Sequence, residues 1–229
     1  MARDDRHRRA RKIERRAAKR TAYDRILIVT EGERTEVNYF KEIKQYFRLP
    51  SASVHVCPAD GTNPLQVVNY ASALCQRTGQ WERVFCVVDR DEHAHYDAAL
   101  RRAVELDGRH RNDEKQPIEF KAIPSNPCFE LWLLLHFQRS EAPIRGHEVV
   151  RRLTGHINGY QKGRYGMFAA TQGALDGAYA NAQRLRARLE RPGDNPSTDV
   201  DGLVRLLCTL RDTAAHDTSE IRSGRSSSI

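Results

Sequence analysis

The chain has 229 residues, which is enough for one domain with a sizeable hydrophobic core and further segments beside it. Its five cysteines lack the paired spacing that a zinc site or a disulfide framework needs, so we expect a reduced, cytoplasmic protein. No stretch approaches the ~20 apolar residues of a membrane span. No apolar region follows the charged amino terminus, so we expect neither a membrane protein nor a secretion signal.

The formal net charge of +8 is concentrated at the amino terminus. Residues 1–20 hold ten Lys or Arg against three acidic residues, a net charge of +7. We therefore predict that residues 1–21 form a flexible basic arm for the phosphate backbone of nucleic acid, with contacts from Arg8, Arg9, Arg15 and Arg16. A solvated, partly helical leader that aids solubility or contacts a partner is the alternative.

After this arm, apolar strands alternate with amphipathic helices. In chain order the pattern predicts a strand at 25–30, a helix at 33–47, a strand at 53–59, a helix beginning at Asn63-Pro64, a strand at 84–88, a helix at 94–106 and a strand at 118–123. Strands joined by helices imply right-handed crossovers and a mainly parallel four-stranded sheet with helices on both faces.

The same pattern suggests how the chain is divided. We expect an α/β core over residues 22–138 and a helical C-terminal extension over 139–213 that packs on this core. Residues 214–229 are rich in serine and poor in apolar residues, so we expect them to form a disordered tail.

Acidic residues follow two of the predicted buried strands. Glu31 follows the strand at 25–30, and Asp89 and Asp91 follow the strand at 84–88. Because parallel strands present their carboxyl ends at one edge of a sheet, we expect these carboxylates to meet. Their mutual repulsion and desolvation require a cation, and oxygen ligands favour Mg²⁺ or Mn²⁺. The sequence therefore predicts a divalent metal site, with capping of the following helices as the alternative.

Other residues near these strand ends have two interpretations each. Gly32 allows the backbone to turn into the next helix and to approach a phosphate closely. Glu33 and Glu36 lie in the first turn of that helix, where the helix dipole accounts for them, and for Glu33 an outer-shell contact at the site is the alternative. Glu130 lies near the start of a very apolar helix predicted at 129–137. It is either a helix-dipole contact or a fourth ligand or general base at the same edge.

A glycine-rich segment at 155–166 (GHINGYQKGRYG) carries two cations and two tyrosines. Lys162 and Arg164 are predicted to bind phosphate, and Tyr160 and Tyr165 to stack on bases. A mobile surface loop is the alternative interpretation.

Three segments resemble the RloB family of bacterial proteins, namely ILIVTEGERTEVNYF at 26–40, VVDRDE at 87–92 and SNPCFELWLLLHF at 125–137. The strand followed by Glu-Gly and the later strand followed by Asp-x-Asp are also similar to the Toprim domain of topoisomerases, bacterial primases and overcoming-lysogenization-defect (OLD) nucleases. This resemblance implies a Toprim-like fold in which Glu31, Asp89 and Asp91 take the places of the Toprim acidic residues.

The resemblance also implies a metal-dependent nuclease of phage defence and abortive infection, encoded beside a partner ATPase. The chain has no GxxxxGK[ST] sequence, so an ATP-driven step requires that partner. We therefore predict phosphodiester hydrolysis of DNA or RNA, tRNA included, by one or two Mg²⁺ or Mn²⁺ ions. Two alternatives remain: a primase-like nucleotidyl transferase at the same site, or a non-catalytic module whose acidic rim binds an ion or a partner's basic patch.

Overall fold

The computed structural model describes residues 24–61, 63–90, 95–191 and 193–210. The predicted arm, the predicted tail and Asp91 lie outside these residues. The described strands form one sheet, with β1 at Ile26–Thr30, β2 at Val54–Pro58, β3 at Arg83–Asp89, β4 at Glu119–Asn126 and β5 at Ser197–Thr198. The strand order is β2-β1-β3-β4-β5. The first four strands are parallel, and β5 is antiparallel to β4.

Helices connect and cover these strands: α1 at Thr35–Tyr46, α2 at Pro64–Thr78, α3 at Tyr96–Leu106, α4 at Glu130–Leu134, α5 at Gly146–His156, α6 at Met167–Thr171, α7 at Leu175–Arg188 and α8 at 200–210. A 3-10 turn at Gln172–Ala174 joins α6 to α7. The predicted α/β class and parallel four-stranded arrangement are confirmed, and a short fifth strand adds to them. Each described helix is too short or too polar to span a membrane.

Residues at the ends of α2 explain where this helix begins and stops. The Asn63 side chain accepts a hydrogen bond from the Gln66 N–H at 3.1 Å, and Pro64 occupies the first turn, where a missing donor costs nothing. Gly79 ends the helix with a left-handed φ of +59°. The predicted start at Asn63-Pro64 is therefore confirmed.

The sheet has a hydrophobic core on each face. Alternate residues of β1 point to opposite faces, and its apolar residues are fully buried. Ile26 and Ile28 pack into the core that contains residues of α1 and of α4 to α8. Leu27 and Val29 pack into the second core, with α2 and α3. The predicted cover on both faces is confirmed, and the segment after residue 139 shares the first core with α1.

The region from β4 to α4 differs from the predicted boundaries. Strand β4 continues to Asn126 because Ser125 and Asn126 pair with β5, which is too short to show any periodicity. Helix α4 spans five residues instead of the predicted 129–137. The turns at its two ends are closed by hydrogen bonds between residues three positions apart, as in a 3-10 helix. For example, the Trp132 N–H donates to the Phe129 carbonyl.

Candidate functional site

An acidic cleft lies at the carboxyl ends of β1 and β3, beside the start of α4. Its volume is about 460 Å³, and five acidic but only two basic side chains line it. The lining residues are Glu31, Gly32, Glu33, Arg34, Thr35, Glu36, Gly61, Asp89, Glu130, Lys162 and Gly163. The described walls therefore carry an excess of negative charge, which a cationic ligand would offset.

The sheet register brings Glu31 and Asp89 together. Strands β1 and β3 are parallel neighbours, and Thr30 pairs with Val87. The Glu31 N–H donates to the Val87 carbonyl at 3.1 Å, and the Glu31 Oε2 accepts a bond from the Asp89 N–H at 3.2 Å. The two carboxylates expected to share one edge therefore lie at one cleft, although 58 positions separate them in the chain.

One oxygen of the Asp89 carboxylate has no donor in the described part of the chain. This oxygen, Oδ1, is buried and makes no hydrogen bond with the described residues. Burial raises the pKa of Asp89 well above its ordinary value, and the Glu36 and Glu130 carboxylates add to this shift, while the Phe129 N–H opposes it. A buried carboxylate oxygen with no donor costs free energy unless a ligand or a proton reaches it. Either a proton or a cationic ligand would therefore stabilise the Asp89 carboxylate.

Glu36 is a member of this cleft that the sequence interpretation missed. It is only 6% exposed, and burial raises its pKa to about 7, with Glu130 and Glu31 adding to the shift and Lys162 opposing it. The helix-dipole interpretation of Glu36 is therefore incomplete. The sequence does contain a signal for this burial. Glu36 lies on the same face of α1 as Phe40 and Ile43, and a carboxylate on an apolar helix face indicates a specific role.

The geometry of Glu36 also explains Gly32. A Cβ at position 32 would overlap the Glu36 carboxylate, so a glycine permits this buried side chain to lie against the backbone. Gly32 is not among the residues with positive φ. The need for glycine here is thus one of space, and the predicted phosphate contact of Gly32 remains a prediction.

Glu130 points into the same cleft. Its side chain is 2% exposed, and its Oε1 accepts a hydrogen bond from the Tyr160 hydroxyl at 3.3 Å. The Lys162 Nζ lies 3.6 Å from the same oxygen. Of the two interpretations of Glu130, a role in the acidic cleft accounts for these contacts, which a helix dipole alone does not.

The loop that carries Lys162 is fixed to the start of α1. The Gly163 N–H donates to the Thr35 Oγ1 at 2.8 Å, and the Asn38 Nδ2 donates to the Gly163 carbonyl at 2.9 Å. Gly163 has a φ of +81°, and a Cβ there would lie 2.8 Å from the Arg34 Cβ. Only glycine meets both conditions, so the close approach of this loop to the cleft depends on it.

The other predicted phosphate and base contacts are placed elsewhere. Arg164 closes its own loop by donating to the Asn158 carbonyl at 2.7 Å and does not line the cleft. Tyr160 is 4% exposed, which leaves no face for base stacking, so that expectation is wrong. Tyr165 is exposed and donates to Gln45. The predicted contacts outside the described residues are Asp91, Arg8, Arg9, Arg15 and Arg16.

The donor set of the cleft suits a hard cation, since carboxylate oxygens are the ligands that Mg²⁺ and Mn²⁺ prefer. The Asp89 Oδ1, which has no hydrogen-bond partner among the described residues, would give such an ion a first ligand. In the described ranges, however, no group of three His, Cys, Asp or Glu side chains is arranged to hold a metal ion. A complete site therefore needs Asp91 or a rearrangement of a neighbouring carboxylate.

The fold and cleft define an α/β protein whose carboxylates gather at the carboxyl edge of a parallel sheet. The chain belongs to the RloB-like family, because the family model described as "RloB-like protein" matches residues 26–207. No curated protein and no solved structure matches the chain. The RloB resemblance of the three sequence segments is thereby confirmed, and the Toprim relation stays a prediction.

Proposed function

We propose that this chain is a divalent-metal-dependent nuclease that hydrolyses phosphodiester bonds at the acidic cleft. The observation that carries the proposal is the buried Asp89 Oδ1, which has no hydrogen-bond partner in the described part of the chain and lies in a cleft with four further carboxylates, those of Glu31, Glu33, Glu36 and Glu130. A phosphodiester is itself an anion, so it approaches such a cleft only when cations offset the charge.

The roles of the side chains follow from their positions. Glu31 and Asp89 would hold the metal, with Asp91 as the expected third ligand. When bound, Mg²⁺ or Mn²⁺ would polarise the phosphate and lower the pKa of a water molecule. Glu36, with a pKa of about 7, is suited to accept a proton near neutral pH. Tyr160 orients the Glu130 carboxylate by donating to it.

Lys162 is one of the two basic side chains that line this site. Its side chain is 60% exposed, and its ammonium group lies beside the Glu130 carboxylate. The contacts of Gly163 with Thr35 and Asn38 hold its loop in place. We assign Lys162 to a phosphate oxygen of the substrate, where a positioned cation stabilises the developing charge.

The test is a cleavage assay on single- and double-stranded DNA and on RNA, with Mg²⁺, with Mn²⁺ and with chelator. The wild-type chain should cleave at least one substrate only with metal, and Glu31→Gln should remove cleavage. The matched control is Glu105→Gln, which neutralises a 59% exposed carboxylate paired with Arg102 outside the cleft. Equal cleavage by both variants would contradict the proposal.

Control by a partner ATPase, in bacterial phage defence, is the finer part of the proposal and rests on the family resemblance. An unregulated nuclease would cleave the nucleic acid of the cell that produces it. The sequence also has no phosphate-binding loop of the GxxxxGK[ST] type, so an ATP-driven control step requires a partner. We expect weak cleavage by the isolated chain and stronger cleavage, or release from inhibition, with the ATPase. Strong cleavage by the isolated chain at physiological Mg²⁺, without toxicity on expression, would contradict this part.

A second function is favoured by one observation, the lack of a three-ligand group among the described side chains. In this alternative the acidic cleft receives a basic side chain of a partner, and the chain is not catalytic. Binding of a lysine-rich peptide that Asp89→Asn abolishes, together with no detectable binding of Mn²⁺, would favour the alternative over the nuclease.

A further inference from the structure

The outward face of α1 is positively charged and has no acidic residue. It consists of Asn38, Lys41, Lys44, Gln45 and, at the end of the helix, Tyr46. Both glutamates of α1 are buried instead. Glu36 lines the acidic cleft, and Glu42 accepts hydrogen bonds of 2.7 and 2.8 Å from two backbone N–H groups at the start of α6. The negative charges of this helix are thus used inside the fold, whereas its lysines face solvent.

These lysines have no carboxylate partner in the described part of the chain. Neither Lys41 nor Lys44 forms an ion pair there. Burial and the neighbouring Lys41 ammonium group lower the pKa of Lys44. Burial, together with Lys44 and Lys41, also lowers the pKa of His55 on the edge strand β2. Cations that repel one another in this way are stabilised by an anionic partner.

The outward face of α1 leads to the acidic cleft. Arg34 directly precedes the helix, is exposed and lines that cleft. It lies on the same side as Lys41, because seven residues make about two helical turns. At 1.5 Å per residue, the axial distance from Arg34 to Lys44 is ~15 Å, the length of about four phosphates at the ~3.4 Å spacing of a stacked strand. A polyanion on this face therefore reaches the cleft.

Two exposed aromatic side chains lie at the carboxyl-terminal end of this face. Tyr165 is 57% exposed, and its hydroxyl donates to the Gln45 side chain at 2.8 Å. Tyr46 is 51% exposed, and its ring contacts Phe168 at a centroid distance of 5.4 Å. More than half of each tyrosine is thus accessible, in contrast to the buried Tyr160. Accessible rings beside cations are the combination that single-stranded nucleic acid requires.

We call the surface formed by Arg34, Lys41, Lys44, Tyr46 and Tyr165 the α1 tract. Its cations attract a phosphate backbone, and its aromatic rings stack only on bases that are not already paired and stacked in a duplex. We propose that the α1 tract binds single-stranded nucleic acid, with phosphates at Lys41 and Lys44 and a base on Tyr165. The inference rests on the proposed function in one respect, namely that the bound strand continues into the acidic cleft as a substrate.

The test measures binding of the full chain, in chelator, to a fluorescein-labelled single strand of DNA or RNA and to the duplex of the same sequence. Fluorescence anisotropy reports the affinity. Lys41→Gln/Lys44→Gln should weaken single-strand binding about tenfold at ~0.1 M salt. It should also lower the slope of log K against log salt by ~1.4, since each phosphate contact contributes ~0.7.

The matched control is Arg77→Gln/Arg101→Gln. It removes two exposed cations from α2 and α3, which pack on the opposite face of the sheet from α1. Because charges at that distance are largely screened by salt, this variant should change the affinity by about twofold at most.

Two variants of Tyr165 separate stacking from a structural role. Tyr165→Phe loses the hydrogen bond to Gln45 but keeps the ring, so it should bind the single strand as the wild type does. Tyr165→Leu loses the ring and should bind the single strand about tenfold more weakly, with unchanged binding of the duplex. Equal single-strand affinity of Tyr165→Leu and wild-type protein would overturn the assignment of a base to this ring.

Equal single-strand affinity of Lys41→Gln/Lys44→Gln and wild-type protein, or equal losses in this variant and its control, would overturn the proposal. Binding of phosphatidylglycerol vesicles that the lysine variant abolishes, with unchanged oligonucleotide binding, would assign the α1 tract to a membrane instead. Wild-type protein that binds through the tract but does not cleave with Mn²⁺ would refute the nuclease alone. Cleavage with Mn²⁺ that the lysine variant retains, at wild-type affinity, would refute the tract alone.

Discussion

Charged side chains are paired at one edge of the sheet and crowded with like charges at the other. At the amino edge, the Arg25 Nη2 lies 2.5 Å from Glu82 and 2.6 Å from Asp113, and Arg83 contacts both Asp24 and Glu119. Arg25 and Arg83 thus each have two carboxylate partners. At the carboxyl edge, five acidic side chains share a cleft with only Arg34 and Lys162, and the buried Asp89 Oδ1 has no hydrogen-bond partner in the described part of the chain.

This difference separates charges that are paired within the fold from carboxylates that, in the proposed function, would bind a ligand. Paired charges close to the surface contribute modestly to stability. Burial raises the pKa of Asp89 and of Glu36, and neighbouring carboxylates add to both shifts, so the ionised forms of these two side chains destabilise the ligand-free protein. Substitutions at the carboxyl edge should therefore change activity and the pH dependence of stability, whereas substitutions at the amino edge should change stability alone.

The largest effect is expected for Asp89→Asn. Loss of this ligand should lower the cleavage rate by ~10²- to 10³-fold, the scale on which electrostatic stabilisation of a transition state acts. Stability in chelator should stay equal or increase, because the variant removes a buried charge that other carboxylates repel. Cleavage rate and urea midpoint measured on one preparation check both parts. Retained cleavage by Asp89→Asn would contradict the functional role that we assign to the carboxyl edge.

Glu36→Gln should change how stability depends on pH. The folded-state pKa of Glu36, about 7, is raised above the ordinary 4.5, so its favourable contribution is present below pH 4.5 and is lost as the pH rises to about 7. The Glu36→Gln variant has no titrating carboxyl at this position, so it does not lose stability in this way as the pH rises. Its free energy of unfolding relative to the wild type should therefore increase by roughly 2 to 3 kcal/mol between pH 4.5 and pH 8. Urea unfolding in chelator at several pH values measures this, and parallel curves would argue against a buried, repelled Glu36.

Arg25→Ala probes the opposite edge. It leaves Glu82 and Asp113 without their shared cation, and we expect a loss of about 1 to 2 kcal/mol in the free energy of unfolding. Cleavage by the folded variant should not change. Arg102→Ala, which removes an exposed pair with Glu105, is the control and should cost less than about 0.5 kcal/mol. A loss of cleavage in folded Arg25→Ala would show that the two edges are not independent.

Lys162→Met should have a smaller effect on catalysis than Asp89→Asn. Removal of the ammonium group should lower kcat/KM about tenfold, while stability should hardly change because the side chain is 60% exposed. Arg164→Met alters the same loop outside the cleft and should lower the rate less. Equal losses for the two variants would indicate a diffuse charge effect rather than a positioned cation.

Local and periodic features explain how much of this could be predicted. The apolar run at 26–30 and the residues Asn63-Pro64 specify a buried strand and a helix start without tertiary information, and both predictions are confirmed. The meeting of Glu31 with Asp89 followed from the shared edge of parallel strands. Strand β5 escaped prediction, because two residues that pair with β4 have no period of their own.

The remaining parts of the site depend on contacts between distant segments. The approach of Lys162 to the cleft requires the bonds from Gly163 to Thr35 and Asn38, which join positions more than 100 residues apart. Lys162 and Arg164 look alike in the sequence, and only the fold separates them. The sequence alone indicates a helix-dipole contact for Glu36. Its burial against Gly32 becomes visible only in the fold.

The central claim, that the carboxyl edge is built around a divalent cation, is tested most directly by titrating Mn²⁺ into wild-type and Asp89→Asn protein at pH 8. Electron paramagnetic resonance reports the free ion during this titration. Wild-type protein should take up Mn²⁺, and Asp89→Asn should bind it at least about tenfold more weakly, since a charged ligand is replaced by a neutral one. Equal uptake by both proteins, or no uptake by either, would contradict the account.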